Sequence, residues 1–536
     1  NIGCMEKGMQ IHAEIVYRGI FEENNMCLAT ALVDMYAKCG MLVEAHQLHD
    51  MVRVRDVISW SALISGYAQH GQPQEALNCY EEMYSEGLSP NAITFISILK
   101  ACGSIGAIEK GIHVHCEIVR KMFLEKNIVL GNALVGMYAK CGILEKARQV
   151  HSELFVRDGI SWSSLITGYA QHEQGHEALN CFERMQGESM SPDGVIIIGI
   201  LNACGAIGAI NKGKQIHCRI IDRGMLEKDI VLGTSLVDMY IKCNMLVEAQ
   251  QVHDELHVRN VVSWNALIVG YAQRGQGSQA LECLEQMQIE GLPPDPVTFV
   301  GILKACGSIG AIEKGEQFHD MMDRNNWLKK DIVLCTTLVD MYAKCGMLAK
   351  AQEVLDELAV RNVVTWSAMI AGYAVQGQLN EALKCFKQMQ SEGLSPNEVT
   401  FVSILNACSH SKKLDEAQMY YENMSQKYGI IPKLEHHTCM VVAFGCAGHF
   451  DKAMSVIKTM PSFDDPSVWL ALLDACRKWG NVEVGRLAFD QAIEKDNNLA
   501  TAYIIMANIY TAAGMQENAE KIEAMKAKIG FGRSYE

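Results

Sequence analysis

The chain has 536 residues, of which 49% are hydrophobic and 20% are charged, so it can bury a continuous core. Its formal net charge of −15 argues mildly against nucleic-acid binding, because phosphates attract Lys and Arg, but it leaves open how charge is distributed between faces. A long uncharged run, residues 194–210, lies in register with residues 92–108, which carry Lys100. We therefore interpret it as a buried helix and turn, and a membrane span is excluded.

A strict internal repeat dominates the sequence, with landmarks that recur every 102 residues. The tryptophans of this series are Trp60, Trp162, Trp264 and Trp366. The prolines are Pro90, Pro192, Pro294 and Pro396. A period held this regularly indicates a stacked array of small units and not a set of globular domains.

In chain order, residues 1–25 are interpreted as an incomplete repeat, and thirteen complete repeats span residues 26–465. The repeat lengths cycle through 31, 35 and 36 residues, and the last repeat has 32. Residues 466–533 contain two further helical pairs similar to tetratricopeptide hairpins, and residues 534–536 form a polar tail. Because the chain starts inside a repeat and without Met, we expect a fragment whose targeting peptide is not visible.

Each complete repeat is predicted to form a helix, a turn and a second helix. In residues 57–91, apolar residues at helical spacing, including Trp60 and Tyr67, precede a break at Gly71 and Pro73. No stretch shows the alternation of a strand. The predicted fold is therefore all-α, a right-handed α-solenoid superhelix of stacked helix-turn-helix repeats.

The 20 cysteines suggest a metal or disulfide scaffold until they are placed on the repeat. Twelve of them fall at repeated helix positions: Cys39, Cys141, Cys243, Cys345, Cys79, Cys181, Cys283, Cys385, Cys102, Cys204, Cys306 and Cys408. No Cys-x-x-Cys occurs, so we expect no structural zinc and no cofactor. Free thiols in this number indicate a reducing compartment.

Several short motifs carry a family resemblance. Residues 34–40 (DMYAKCG), residues 440–448 (MVVAFGCAG), and near the carboxy terminus Ala502-Tyr503 and residues 508–510 (NIY) resemble the plant pentatricopeptide-repeat proteins of the P, L and S triplet type with two extension motifs. The resemblance covers essentially the whole chain. It implies that residues 1–25 are a partial L motif and that the 31-, 35- and 36-residue repeats are S, P and L motifs.

The resemblance also implies that each repeat selects one RNA base through its fifth and its last residue. The pairs so implied are Thr30/Asp56, Ser61/Asn91, Asn132/Asp158, Ser163/Asp193, Thr234/Asn260, Asn265/Asp295, Thr336/Asn362, Ser367/Asn397 and Thr438/Asp465. In the 36-residue repeats the fifth residues are Ile96, Ile198, Val300 and Val402, which cannot donate or accept a hydrogen bond, so these repeats should specify little. The last residues could alternatively serve only as helix caps, and both roles can hold at once.

Two further sets of residues are implied to contact RNA. The second residues are aliphatic and would pack on base faces, or alternatively in the core: Ile58, Val129, Ile160, Val231, Val262, Val333 and Val364. Lysines that would meet the RNA backbone, or alternatively only solvent, are Lys38, Lys140, Lys242 and Lys344.

Catalysis is not expected from this chain. Editing proteins with their own chemistry carry a zinc deaminase domain with His-x-Glu followed by Cys-x-x-Cys. His-x-Glu occurs at residues 12–14, 115–117, 151–153 and 253–255, but no Cys-x-x-Cys follows, so we interpret all four as helix surface. The deaminase domain is expected to be missing from the fragment or to be supplied by a partner.

The resemblance implies sequence-specific binding of single-stranded RNA in a mitochondrion or chloroplast, as a specificity factor for C-to-U editing. Its partners would be organellar RNA, together with a deaminase-domain protein and other editing factors that dock on the extension motifs, and no membrane. Two alternatives remain: a factor for transcript stabilisation or translation, and, from another class, a helical-repeat scaffold that binds proteins.

Overall fold

A computed structural model of the chain describes residues 2–17, 26–52, 55–124, 127–226, 229–328, 331–358, 360–460 and 465–528. Over these residues it contains 31 α-helices and no β-strand, which confirms the predicted all-α fold. The chain divides into two compact units, Asn1–Leu267 and Ile268–Glu536, which are described separately.

Among its described residues, the first unit contains fifteen helices and the beginning of a sixteenth. They are α1 (Ile2–Tyr17), α2 (Met26–Cys39), α3 (Leu42–Met51), α4 (Val57–Gln69), α5 (Pro73–Ser85), α6 (Ala92–Ile105), α7 (Ile108–Arg120), α8 (Ile128–Lys140), α9 (Leu144–Glu153), α10 (Gly159–Gln171), α11 (Gly175–Gly187), α12 (Gly194–Ile207), α13 (Ile210–Asp222), α14 (Ile230–Lys242), α15 (Leu246–Glu255) and α16 (Val261–Gln273). From α2 to α14, each even-numbered helix packs against the next even-numbered helix and against the odd-numbered helix that follows it. The even-numbered helices therefore form one layer of the unit.

The second unit repeats this arrangement. Its helices are α17 (Gly277–Ile289), α18 (Pro296–Ile309), α19 (Ile312–Arg324), α20 (Ile332–Lys344), α21 (Leu348–Glu357), α22 (Val363–Val375), α23 (Leu379–Ser391), α24 (Glu398–His410), α25 (Leu414–Gln426), α26 (Leu434–Cys446), α27 (Phe450–Lys458), α28 (Ser467–Trp479), α29 (Val482–Lys495), α30 (Ala500–Ala512) and α31 (Gln516–Lys528). The even-numbered helices from α18 to α30 again pack in sequence.

Local chemistry fixes where the helices begin and end. At the start of α4, the carboxylate of Asp56 accepts a hydrogen bond of 2.8 Å from the backbone N–H of Ser59, and the Ser59 hydroxyl in turn accepts from the Asp56 N–H. At the end of α6, Gly106 adopts φ 70°, a left-handed conformation that glycine enters without strain. Capping of this kind satisfies backbone groups that the helix itself leaves unpaired.

The core of each unit contains the repeated tryptophans. Trp60 and Trp366 are fully buried, and the indole N–H of each donates to a glutamate, Glu86 and Glu392 respectively, over 2.9 Å. Each glutamate also pairs with an arginine, over 2.7 Å from Arg55 to Glu86. Since the glutamate caps the end of the second helix, this contact ties the two helices of a 35-residue repeat together.

Close helix packing requires glycine at one repeated position. A Cβ on Gly66 in α4 would lie 2.7 Å from the Cβ of Ala37 in α2, which is closer than two carbon atoms can approach. The same contact recurs between Gly168 and Ala139. The even-numbered layer is therefore tight because these positions lack a side chain.

Two histidines correct a sequence-based expectation. His151 and His253 were expected on the helix surface, but they are only 2% and 0% exposed. Their rings lie edge-on against Trp162 and Trp264, with centroids 4.3 Å apart. The expectation was wrong because the helix turns this residue towards the tryptophan of the following repeat.

The cysteines are free thiols wherever the structure describes them, and those at two of the three repeated positions, such as Cys79 and Cys102, are buried. Burial raises the pKa of Cys79 to about 12 and that of Cys102 to about 11. These side chains therefore behave as small core residues.

Candidate nucleic-acid interface

The second residue of each repeat lies on the surface, which decides against the core-packing alternative. Ile58 and Ile160 are each 64% exposed, and Val333 and Val364 are each 57% exposed. The other aliphatic second residues, Val129, Val231 and Val262, are exposed as well. Since a folded protein normally buries branched aliphatic side chains, their regular exposure along the even-numbered helices of each unit is typical of a contact surface.

The row of exposed aliphatic residues is longer than the sequence-based expectation. The 36-residue repeats also carry exposed aliphatic second residues, which are Ile93 and Val195 in the first unit and Val297 and Val399 in the second. The signal was present in the sequence, because these residues occupy the same repeat position. The apolar row thus includes repeats whose fifth residue is not polar.

The fifth residues lie almost one helical turn after the second residues, on the same side of the even-numbered helices. They are buried or half-buried next to the exposed row. Three of the four threonines among them donate their hydroxyl to the carbonyl four residues earlier, as in the 2.7 Å bond from Thr336 to Ile332. Thr234 and Thr438 make the same bond over 2.9 Å. A threonine held in this way presents its oxygen as an acceptor.

The last residues accept hydrogen bonds at the start of the following helix, as the capping alternative expected, and Asp465 does so from one position before the N-cap residue Pro466. One oxygen of each side chain accepts from a backbone N–H two or three residues later, over 2.8–3.0 Å: Asp56, Asn91, Asp158, Asp193, Asn260, Asp295, Asn362, Asn397 and Asp465. Because capping uses Oδ1, it also fixes the direction of the second terminal atom of the side chain, Nδ2 in asparagine or Oδ2 in aspartate. An asparagine then directs its Nδ2 donor, and an aspartate its Oδ2 acceptor, away from the helix it caps.

Lysines were expected along the same helices, and three of the four are already paired. Lys38, Lys242 and Lys344 lie 2.6–2.7 Å from Asp34, Asp238 and Asp340, each four residues earlier on the same helix. The fourth lysine, Lys140, has Gly136 at that position. It is exposed and makes no ion pair with any residue that the structure describes. The positive charge of this row is therefore smaller than the count of lysines suggests.

One cavity in the second unit brings the three kinds of predicted residue together. Its volume is about 480 Å³. It is lined by the second residues Val333, Val364 and Val399, the fifth residues Thr336 and Ser367, the last residue Asn362, and Lys304. The wall is mostly apolar with a few polar atoms, as expected for a site that holds a flat, partly polar ligand.

Lys304 was not among the predicted site residues. It is the ninth residue of a 36-residue repeat and exposed, as is Lys100 at the same position of an earlier repeat. The lysines expected to contact RNA all belong to the 31-residue repeats. A comparison of all repeats in register would have found this position.

Metal binding has no support in the side-chain arrangement. Among the residues described, no three His, Cys, Asp or Glu side chains come together to hold a metal ion. His151, the histidine of one His-x-Glu sequence, has a pKa lowered to about 4, because burial and then the nearby charges of Arg157 and Arg184 disfavour its protonated form. Glu153 of that sequence is exposed.

Comparison with known sequences identifies the family. The PPR repeat matches residues 28–57, 160–190, 234–261, 333–363, 399–428 and 435–464, and the PPR repeat family matches residues 55–104, 259–308 and 361–410. The mitochondrial pentatricopeptide repeat-containing protein At1g06140 of Arabidopsis thaliana is 33% identical over 97% of this chain and 93% of its own length. The chain belongs to the pentatricopeptide repeat family.

Other pentatricopeptide repeat proteins are longer than the present chain. The chloroplastic protein At1g11290 of Arabidopsis thaliana is 34% identical over 98% of this chain, which spans 64% of that protein. The relatives whose names state an organelle are chloroplastic or mitochondrial, the two locations that the resemblance implied. Within the described residues, no helix is both long and apolar enough to cross a membrane.

Solved structures of the family include the pentatricopeptide repeat protein PPR10 from maize. It aligns with 93% of this chain at 16% identity and a TM-score of 0.47. PPR10 in complex with an 18-nucleotide psaJ RNA element aligns with 94% of this chain at a TM-score of 0.45.

Proposed function

We propose that this chain binds single-stranded RNA in a sequence-specific manner, one base per repeat, as a specificity factor for C-to-U editing in a mitochondrion or chloroplast. The observation that carries the proposal is the cavity of the second unit, where exposed valines of three consecutive repeats surround two polar fifth residues and one last residue. Apolar side chains of this kind can pack on base faces, and short polar side chains can reach a base edge. That PPR10 has been solved with an RNA element supports this proposal.

The proposal assigns a motif type to each repeat. The 31-, 35- and 36-residue repeats are S, P and L motifs of the PLS subfamily; residues 1–25 are a partial L motif, residues 26–465 hold thirteen motifs, residues 466–533 form two extension motifs and residues 534–536 a tail. The S and P motifs carry the polar pairs, and the L motifs space them. The sequence resemblance in residues 34–40, 440–448 and 508–510 supports this assignment.

Donor and acceptor matching explains how a pair selects a base. In a P motif, Asp193 uses one oxygen to cap α12 and keeps the second as an acceptor for the N–H groups of guanine. Asn397 caps α24 through its oxygen and keeps its amide N–H₂ as a donor for the ring nitrogen of adenine. In both residues, the bond from Oδ1 to the helix start thus orients the second terminal atom of the side chain, which contacts the base.

Applied to all pairs, this assignment predicts the bound sequence. The resemblance to pentatricopeptide-repeat proteins implies that Thr or Ser with Asp selects G, that Thr or Ser with Asn selects A, and that Asn with Asp selects U. The thirteen motifs then bind 5′-GAnUGnAUnAAnG-3′, where n lies under an L motif. The edited cytidine would follow a few nucleotides 3′ of the base under residues 434–465.

The chemistry of editing is assigned to a partner. A deaminase-domain protein, with other editing factors, would dock on the extension motifs in residues 466–533. The lysines of the S motifs, Lys38, Lys140, Lys242 and Lys344, would contact the RNA backbone, and Lys140 is the one among them without an aspartate one turn earlier.

Selection of bound sequences from a random pool of RNA tests the proposal. The selected sequences should contain the predicted bases at the nine S and P positions and no common base at the four L positions. Selection of no common sequence, or of a sequence unrelated to the nine pairs, would contradict it.

A further inference from the structure

In two P motifs, the serine at the fifth position, which reads a base in the proposed function, contacts a hydroxyl group of the next repeat. The oxygens of Ser61 and Thr94 lie 2.7 Å apart, and those of Ser367 and Thr400 also lie 2.7 Å apart. Each threonine is the third residue of the following L motif and is fully buried. A contact between a base-reading residue and a residue 33 positions later is not visible in any single repeat.

The threonine also contacts the last residue of the P motif that contains the serine. The hydroxyl of Thr400 donates to Oδ1 of Asn397 over 2.9 Å. Because Thr400 has only one hydroxyl hydrogen and gives it to Asn397, its oxygen must accept the hydrogen of Ser367. The bonds therefore run from Ser367 to Thr400 to Asn397, and the serine has no hydrogen left for a ligand.

A third P motif lacks this contact. The residue that follows Ser163 and Asp193 at the equivalent position is Ile196, which is buried and has no hydroxyl. The side-chain hydroxyl of Ser163 makes no hydrogen bond with any residue that the structure describes. Ser163 is also half-buried, whereas Ser61 and Ser367 are only 4% and 3% exposed. Its hydrogen is free to point towards a ligand.

We propose that the third residue of an L motif, Thr400 or Ile196, decides whether the serine of the preceding P motif, Ser367 or Ser163, accepts or donates a hydrogen bond to the base. Ser61 is an acceptor in any case, because its hydroxyl also donates to the carbonyl of Val57 over 2.5 Å. The proposal rests on the proposed function and gives the L motifs a part in base selection. The Watson–Crick edge of adenine offers an amino donor, which an accepting serine fits. The edge of guanine offers a carbonyl acceptor, which a donating serine fits.

Ser367, whose hydroxyl hydrogen is bonded to Thr400, is paired with Asn397. Ser163, whose hydroxyl makes no hydrogen bond within the described residues, is paired with Asp193. The two residues of each pair therefore favour the same base. Thr400 and Ile196 are positioning residues, since they act through the serine.

The test compares binding to RNAs that differ only in A or G at one position. Thr400→Val removes the hydroxyl at nearly constant volume, which frees the hydrogen of Ser367, and we expect the preference for A over G under Ser367/Asn397 to fall about fivefold, the effect of roughly one hydrogen bond. Thr400→Ser keeps a hydroxyl and should keep the preference. Conversely, Ile196→Thr should lower the preference for G over A under Ser163/Asp193 by about the same factor.

Ser403→Ala is the matched control. Ser403 lies on the same helix, is buried, and donates to the carbonyl of Val399 over 2.9 Å without contacting Ser367. A packing effect alone would change binding in Ser403→Ala as much as in Thr400→Val, and this result would overturn the inference. An unchanged A-to-G ratio in Thr400→Val would also overturn it. Either result leaves the proposed function standing as long as the wild-type protein shows its base preferences. If the wild-type protein shows no base preference, the proposed function is overturned as well.

Discussion

The side-chain amide of Asn132 donates to both carboxylate oxygens of Asp158, over 3.0 and 2.9 Å. These are the fifth and the last residue of one 31-residue repeat, 26 positions apart in the chain. Asp158 at the same time caps α10 by accepting from the N–H of Ser161. Its two roles, capping a helix and forming a pair with the fifth residue, are therefore combined in one carboxylate.

Exchanging the fifth residue of this pair should change the selected base. We expect Asn132→Ser to shift the preference under this repeat from U to G, by about 1–3 kcal/mol, because a hydroxyl replaces the amide beside Asp158. Fluorescence anisotropy with RNAs that differ at this base measures the shift. Asn265→Ser is the matched variant, and its shift should occur under its own repeat only. A loss of affinity for all bases, without a shift, would contradict the assignment of the pair.

Replacing an exposed and a buried isoleucine of the same helix should affect different properties, RNA affinity in the first case and stability in the second. Ile160, which is 64% exposed in α10, should lose RNA affinity on replacement by Ala while the thermal midpoint stays within about 1–2 °C, because surface substitutions change stability little. Ile166, fully buried in the same helix, should lose about 2–5 kcal/mol of stability on replacement by Ala. Circular dichroism melting and RNA binding separate the two effects. Equal destabilisation by both variants would show that Ile160 serves packing.

Lys140 should contribute to affinity without selecting a base. Lys140→Ala is expected to weaken all RNAs alike and to reduce the slope of log affinity against log salt by about 0.7, the value for one phosphate contact on a single strand. Gly136→Asp would copy the Asp340–Lys344 pair, which is 2.7 Å long, and should weaken binding in the same direction. Lys146→Ala, on the second helix of the repeat, is the control and should leave binding unchanged. If Lys146→Ala weakened binding equally, net charge and not position would explain the effect.

The buried histidines should make stability depend on pH. Burial, and then the nearby Arg55, lowers the pKa of His49 to about 4, and neither of its ring nitrogens has a hydrogen-bond partner among the described residues. Since the unfolded chain binds this proton near pH 6.5 and the folded chain only near pH 4, stability should fall as pH drops from about 6.5 to 4 and be constant above.

His151→Leu tests this pH dependence, because Leu355 occupies the same repeat position naturally and is buried. The variant should unfold at a higher temperature than the wild-type protein at pH 5, with a difference on the order of 1–2 kcal/mol that shrinks at pH 7.5. His176→Gln, at an exposed histidine, is the control. A benefit of His151→Leu that is the same at both pH values would mean that packing and not protonation is the cause.

The period of the sequence was sufficient to predict the helices, because Trp60 and its three counterparts recur at fixed spacing with glycine and proline breaks between them. It could not decide whether Ile58 is buried, since a branched aliphatic residue at a helix start fits a core and a contact surface equally well. The ion pair of Lys38 was readable from Asp34, one turn earlier. The bond between Ser367 and Thr400 was not, because it depends on how one repeat is placed on the next.

The most direct test of base selection is the A-to-G preference under Ser163 and Asp193. Asp193→Asn keeps the cap on α12, because the amide oxygen can still accept from the N–H of Ile196, and it replaces the second carboxylate oxygen with a donor. RNAs with G or A at this one position are titrated against both proteins. We predict that the wild-type protein prefers G, that Asp193→Asn shifts the preference towards A by about 1–3 kcal/mol, and that the other positions are unaffected. Equal weakening of both RNAs by Asp193→Asn, or no preference in the wild-type protein, would contradict it.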